Sequence, residues 1–300
     1  MILGIDIGGT SSKLGLVADG RVIARARIQT TGHADDHAFA DALAAEARRM
    51  MTEHGVVITA VGIGAPNANQ LTGIIEMAPN LPWKHDVPLA RMLSDRLGVP
   101  ATLGNDANAA ALGEWRYGAG RGIDDLLVVT LGTGVGSGFI VNGGLVLGSA
   151  GNAGEVGHMT LIPGGRSCTC GRRGCVEAYV SIRGMLATYA EEGGVAVVND
   201  VKGLADLAHA GDAAAQRVFA HSAEWLAIAL ANAVCATGPR RIVLFGGIAR
   251  NGDLLMAPLR QRFHEALLNI YRGRVDITVS ALPDDDAALL GAAALGSLST

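Results

Sequence analysis

Three of the chain's four cysteines fall within eight residues, in "CTCGRRGC", Cys168 to Cys175. His158 stands ten residues before the first of them, at the end of "GNAGEVGH". His158, Cys168, Cys170 and Cys175 offer three sulfurs and one nitrogen. That donor set closes a tetrahedral Zn²⁺ site and leaves no open position for a catalytic water. A redox pair and a chance grouping of thiols are the alternatives, although the spacing is not the Cys-x-x-Cys of redox enzymes. Cys235, in an apolar stretch, reads as a small buried hydrophobe. "RSCTCGRRGC" is rich in glycine and charge and has little with which to fold unaided, so a metal would fix it. Fixing it would also place Glu155 and Glu177, which flank the cluster. Carboxylates accept hydrogen bonds from vicinal hydroxyls, the pattern a sugar offers, whereas a lone glutamate is ordinarily a solvated charge.

Asp106, in "LGNDANAAALGE", follows a strand and opens an alanine-rich helix. There it can serve as an N-cap, and the helix dipole keeps such a carboxylate ionised at neutral pH. An ionised carboxylate in a cleft accepts a proton from an attacking hydroxyl. In phosphoryl transfer that base need not be strong, because bonding to the nucleophile lags in a loose transition state.

Three glycine turns suit the other half of that reaction. In "DIGGTSSK", Gly8 and Gly9 turn the backbone with amides exposed for phosphate oxygens. Thr10 adds a hydroxyl, Lys13 a cation, and Asp6 suits Mg²⁺ held through water. "LGTGVGSG" is neither a Walker A loop nor a Rossmann fingerprint, since a strand follows it. Its Gly132, Thr133 and Gly134 can face terminal phosphates. In "FGGIARNG", Gly246 and Gly247 sit at a strand end and can pack against a nucleoside. Each alone is an ordinary turn; three at strand ends in one chain are a stronger signal.

The elements that would carry these residues are legible in outline. "ILGIDIGG" reads as a strand, followed by a hairpin through "DG". A helix capped by Asp35 or Asp36 runs to Gly55. A second helix ends at Gly98, and a third starts at Asp106. "DLLVVTLGTGVGSGFIVNGGLVL" echoes residues 2–23 as strand, glycine turn, strand. Further strands are expected in "RIVLF" and "VDITVSAL". "DDDAALLGAAALGSL" reads as a final helix with an acidic first turn. Alternating strands and helices with two such hairpins predict an α/β chain of two related lobes with a cleft between them.

Composition limits the function classes. The chain has 300 residues, of which 49% are hydrophobic and only 4% aromatic. Alanine-rich helices packed closely on glycine-punctuated strands are expected. The net charge of −4 is spread without runs of one sign, which argues against nucleic acid as a partner. "MILGIDIGGT" has no signal-peptide features. "WLAIALANAVCATG" is too short to span a bilayer. A cytoplasmic protein with no membrane partner is expected.

Taken together, "DIGGTSSK", "GNDANAAALGE", "VTLGTGVGSG", "GNAGEVGH" and "CTCGRRGCVE" resemble the ROK family of bacterial sugar kinases and sugar-responsive repressors. The resemblance runs from about Ile2 to the final helix, and His-x₉-Cys-x-Cys-x₄-Cys-x-Glu is its most specific part. It implies an actin-like ATPase (ribonuclease H-like) fold of two lobes with a central cleft. The division expected is a small N-terminal lobe, 1–106, with a C-terminal helix 284–300 packing back on it, and a large lobe, 107–283, with the zinc loop 158–175. The resemblance implies ATP-dependent phosphorylation of the 6-hydroxyl of a hexose, with Asp106 as base. It assigns sugar contacts to Asn105, Asp106, Glu155, His158 and Glu177, and zinc to His158, Cys168, Cys170 and Cys175. A homodimer is expected on the same ground. "GAPN" and "APNLPW" look like the glucokinase branch, which favours D-glucose and adds Asn80 as a sugar contact. One departure is Asn67, where many members have glycine. An N-acetylglucosamine or N-acetylmannosamine kinase and a non-catalytic sugar sensor are the alternatives. A repressor would carry a winged helix-turn-helix ahead of the first strand, and that strand starts at residue 2.

Overall fold

The structure, a computed structural model, describes residues 1–78, 80–283 and 285–298. Pro79 of "APNLPW", and Asp284, Ser299 and Thr300 of the expected terminal helix 284–300, lie outside the described residues. The chain forms two compact units: Met1–Gly122 with Leu145–Ala153 and Ala281–Thr300, and Ile123–Gly144 with Gly154–Ser280. The expected division at 106/107 is therefore displaced to Gly122. The physical reason is that the helix opening at Asp106 packs within the first unit.

That unit is built from β1 (Ile2–Ile7), β2 (Ser11–Ala18), β3 (Arg21–Gln29), α1 (Asp36–His54), β4 (Ala60–Ala65), a short ribbon of β5 (Ala68–Asn69) and β6 (Ile74–Ile75), α2 (Leu89–Leu97), β7 (Ala101–Asn105) and α3 (Asp106–Tyr117). Its sheet has the order β3-β2-β1-β4-β7. The β1–β2–β3 pairings are antiparallel, and β4 and β7 add in parallel. Asp19 and Gly20 both have positive φ, at 50° and 73°, as a two-residue hairpin turn between twisted strands demands. Asp35 caps α1 by accepting from the Ala38 N–H at 2.7 Å, and Gly55 closes it in the left-handed region.

The second unit contains β8 (Leu126–Leu131), β9 (Val135–Val141), α4 (Glu177–Val180), α5 (Ile182–Glu191), α6 (Val201–His209), α7 (Ala213–Thr237), β11 (Arg241–Phe245), α8 (Asp253–Ala266) and β12 (Asp276–Val279), with Gly144 of the short strand β10 (Gly144–Leu145) at its edge. Sheet order β10-β9-β8-β11-β12 repeats that of the first unit. Again the hairpin partner is antiparallel and the two later strands are parallel. The echo of residues 2–23 is thus a repeated topology. α7 corrects one expectation. "WLAIALANAVCATG" is only its C-terminal half, and the 25-residue helix is long and apolar enough to cross a membrane by length and composition. Most of it is buried in the unit, from Ala214 and Phe219 to Leu230 and Val234. Cys235 is exposed rather than buried.

α9 (Ala287–Gly296) returns to the first sheet. Strand alternation explains how it fits. Leu3, Ile5, Leu14, Leu16, Val61 and Ile63 join α1 and α2 in one core. The intervening positions, Gly15, Gly4 and Gly62, lie side by side across β2, β1 and β4 and meet α9. A side chain at Gly62 would overlap the Ala292 carbonyl oxygen. Gly113 of α3 meets Gly291 in the same close manner, which binds α3 to this unit. The acidic residues expected in the first turn of α9 precede it instead. Asp286 lies at its N-cap position without capping through its side chain, and pairs with Arg25.

Candidate active site

Strand ends position the candidate groups of the first unit. Asp6 lies on β1 directly opposite Lys13 on β2, on the face that Gly4 shares with α9. β7 passes into α3 without a loop, so Asn105 and Asp106 stand at the end of the next strand but one, beyond β4. Here the structure corrects a role: Asn105, not Asp106, is the N-cap. The Asn105 side-chain oxygen and Asp106 Oδ1 each accept from the Ala107 N–H at 2.8 Å. Asp106 is open to solvent on one side, yet enough protein surrounds its carboxyl to strip hydration. That loss raises its pKa, against the pull of the Ala107 and Asp106 N–H groups. The direction is opposite to the dipole argument from sequence, and it makes Asp106 a stronger base. Burial likewise raises Asp6, with Lys13 opposing and the Asp106 charge reinforcing. Asp6, Lys13 and Asp106 therefore form one electrostatic group.

The Gly8–Gly9 turn is narrower in its offer than the sequence suggests. The Gly8 N–H donates to the Ser11 carbonyl at 3.2 Å, and the Thr30 hydroxyl donates to the Gly8 carbonyl at 2.7 Å. Among the described residues, the amides of Gly9 and Thr10 have no partner. Asn80, which is exposed, comes against this turn: a Cβ on Gly9 would lie 2.6 Å from its carbonyl oxygen. Asn67 adopts φ 52°, a left-handed conformation that asparagine tolerates and glycine favours. The departure from the family pattern is conformationally conservative.

The second unit repeats the device. At the tip between β8 and β9 the Gly132 N–H closes onto the Gly134 carbonyl at 3.0 Å. The amides of Thr133 and Gly134 have no partner among the described residues. Gly246, at φ 105°, follows the parallel neighbour β11. Its α-carbon faces the Leu131 carbonyl so closely that no side chain fits. The Gly132–Gly134 and Gly246–Gly247 turns thus lie together at the carboxyl ends of adjacent parallel strands, where α/β sheets bind ligands.

Glu177 opens α4, and its carboxylate is already engaged. Oε2 accepts from the Val135 N–H at 3.1 Å and Oε1 from the Thr169 hydroxyl at 3.0 Å. The Cys168 thiol also donates to Oε1 at 3.6 Å, so about one of the carboxylate's four acceptor sites remains. Thr169 was not legible as functional, although its place between Cys168 and Cys170 was the available signal. Glu155 is exposed, and its Oε2 lies 4.0 Å from His158 Nε2.

The ligand atoms of His158, Cys168, Cys170 and Cys175 all lie within 4.8 Å of one another. The Cys168 Sγ to His158 Nδ1 and Cys170 Sγ to Cys175 Sγ separations are both 3.7 Å. A tetrahedron of sulfurs at ~2.3 Å from zinc has edges of about 3.8 Å, so the donors fit the metal in type, number and spacing. Burial, then its thiol neighbours, pushes the Cys175 thiol up to about 12. The loop is less dependent on metal than the sequence suggests. Arg172 donates to the His158 carbonyl at 3.1 Å and the Thr160 hydroxyl at 3.0 Å. Arg166 donates to the Ala178 and Gly184 carbonyls and lies over the Tyr179 ring.

The family model of the ROK family matches residues 2–297. Glucokinase of Halalkalibacterium halodurans is 36% identical over 312 residues, covering 96% of this chain and 92% of that protein. N-acetylmannosamine kinase of Shigella flexneri is 33% identical over 303 residues, covering 98% and 97%. The crystal structure of a ROK family glucokinase from Streptomyces griseus, in complex with glucose and AMPPNP, superposes with a TM-score of 0.80 at 32% identity, covering 99% of each chain.

Proposed function

Since the chain belongs to the ROK family, we propose that it is an ATP-dependent glucokinase that phosphorylates the 6-hydroxyl of D-glucose. The observation that carries this reading is Asp106, a carboxylate of raised basicity at the β7–α3 junction whose charge acts on Asp6. Full-length similarity to glucokinases supports it. Asn80, Asn105, Glu155, His158 and Glu177 orient the sugar through its hydroxyls. The free amides of Gly9, Thr10, Thr133 and Gly134 receive phosphate oxygens, and Gly246 and Gly247 face the nucleoside. The sugar oxygen attacks the γ-phosphorus, the bond from that phosphorus to the β–γ bridging oxygen breaks, and ADP leaves. Asp106 takes the hydroxyl proton. Asp6 is the ligand we assign to Mg²⁺, which neutralises phosphate charge when bound. Zinc on His158, Cys168, Cys170 and Cys175 is structural in this reading. With Nδ1 toward the sulfurs, His158 keeps Nε2 for Glu155 and the sugar. We assign the enzyme to the cytoplasm as a homodimer.

An N-acetylmannosamine kinase is the second reading, because the similarity to one such enzyme is nearly as high. ADP release measured across a panel of hexoses with ATP tests the proposal. Turnover of glucose supports it, and turnover of no sugar would leave only a non-catalytic sensor.

A further inference from the structure

A cavity of about 820 Å³ opens on the first unit, lined by the β2–β3 turn, the start of β1 and the end of α3. It lies at the opposite end of the strands from Asp6 and Asp106. Ile2 lines it, and Ile2 to Ile7 along β1 spans roughly 17 Å at ~3.3 Å per residue. None of the groups assigned to catalysis takes part in it.

Three arginines converge there: Arg21, Arg116 and Arg121. Several other arginines of this chain are paired, as Arg25 with Asp286, Arg96 with Asp41 and Arg217 with Glu192. Among the described residues, Arg21, Arg116 and Arg121 make no ion pair, and Asp19, the one carboxylate in the lining, pairs with none of them. Arg116 lies near the Tyr117 hydroxyl and opposes the rise in its pKa that burial causes. Three unneutralised guanidinium groups around one recess repel one another and attract an anion.

The setting is built rather than incidental. A side chain at Gly20 would run into the Tyr117 ring, so the hairpin tip that carries Arg21 is seated on α3. Glu114, fully buried, holds the segment that carries Arg121. Its carbonyl accepts from the Gly118 and Gly120 N–H groups at 3.1 and 2.9 Å, and its Oε2 from the Ala119 N–H at 2.8 Å. Fork-shaped donors on fixed backbone suit a phosphate oxygen cluster. The volume is of the size that binds whole small molecules, about 300–1,000 Å³, so space remains for an organic body attached to the phosphate. Thr59 and Tyr117 supply hydroxyls for it.

We infer that this cavity binds a phosphorylated small molecule, through Arg21, Arg116 and Arg121, at a site separate from the substrate groups. The test is arginine footprinting of the whole protein with phenylglyoxal, read by peptide mass spectrometry, with glucose 6-phosphate or inorganic phosphate as probe. Exposed, unpaired Arg183 is the internal control. Modification of Arg21, Arg116 and Arg121 should slow at least ~3-fold with a probe present, as expected for guanidinium engaged by phosphate, while Arg183 is unaffected. Stronger protection by glucose 6-phosphate assigns an organic phosphate; equal protection assigns free phosphate. Arg21→Gln/Arg116→Gln/Arg121→Gln should keep the unfolding midpoint and lose one calorimetric binding event per chain. Protection of none of the three by either probe, or an unchanged number of binding events in the triple variant, overturns the proposal. Neither outcome depends on whether glucose is the substrate.

Discussion

In the proposed reading Asp106 is the base at the scale of the residue, and its neighbours make that assignment testable. In Asp106→Asn the side-chain oxygen still accepts from the Ala107 N–H, and Asn105 still caps the helix. Turnover should fall at least ~10²-fold, the lower size of a general-base contribution. Stability should not fall with it. A carboxyl whose folded pKa is raised costs stability above its unfolded pKa, and that cost is relieved as pH falls. At pH 7 the cost is present, so thermal unfolding of Asp106→Asn should occur at an equal or higher temperature than wild type. A fall in both activity and midpoint would mean a damaged fold rather than a lost base. The same shift sets the acid limb of kcat/KM. The base works ionised, so activity is lost as pH falls through its pKa, at a pH above the ~3.9 of an ordinary aspartate. A limb at or below that value would remove Asp106 as the base. The sequence singled out this residue but not its environment. Proximity to a helix N-terminus is local, whereas the loss of hydration depends on how the folded chain surrounds the carboxyl.

Elements show the same divide between local and distant. Asp35 and Gly55 bound α1, and the Asp19-Gly20 turn joins β2 to β3, because caps and tight turns depend on a few adjacent residues. The glycine seam under α9 was legible only as an abundance of glycine. Its meaning depends on Gly15, Gly4 and Gly62 coming into register across three strands. Gly62→Ala should therefore cost at least ~2 kcal/mol, within the range for overpacking against an unyielding neighbour, because that neighbour is the α9 backbone. Urea titration reads the loss directly, and a cost under ~0.5 kcal/mol, ordinary for surface changes, would refute the seam. The cysteine loop behaves differently. Its spacing alone disclosed four donors, while the arginines that stitch its base were unreadable. Cys170→Ser should reduce zinc from about one per chain to a small fraction, since structural sites are four-coordinate. Arg166 should still hold the base of the loop, but Thr169 should lose its fixed place beside Glu177. Activity should fall ~10- to 100-fold, as when a supporting contact of a metal site is lost. Full activity in a zinc-free preparation would contradict both assignments.

For the whole molecule, the open matter of substrate choice turns on a wall that the sequence left undefined. The repeated sheet order was foreshadowed by two hairpins, but the loops that choose a sugar lie outside the repeat. In the proposed reading Glu155, His158 and Glu177 meet hydroxyls that most pyranoses share, so they would not separate glucose from its N-acetylated relatives. Discrimination needs a surface near the sugar's second carbon that does not yield, because added bulk is rejected only by a rigid wall. The segment carrying Asn80 has the anchors of one. Trp83 packs on Phe39 with ring centroids 4.8 Å apart, and Ala78 and Leu81 are buried in the same core. The neighbouring ribbon is pinned as well. Asn69 donates to Glu76 Oε1 at 2.7 Å and to the Ala150 carbonyl at 2.9 Å. We therefore expect kcat/KM for glucose to exceed that for N-acetylglucosamine and N-acetylmannosamine by at least roughly tenfold, about 1.4 kcal/mol of transition-state discrimination. Loosening the wall should erode that ratio. Trp83→Ala removes the packing on Phe39 without touching a group assigned to the sugar, so the ratio should narrow even where glucose turnover persists. If an acetylated sugar leads in the wild-type enzyme, the rigid segment frames a pocket instead of a wall, and the kinase assignment stands with a different substrate.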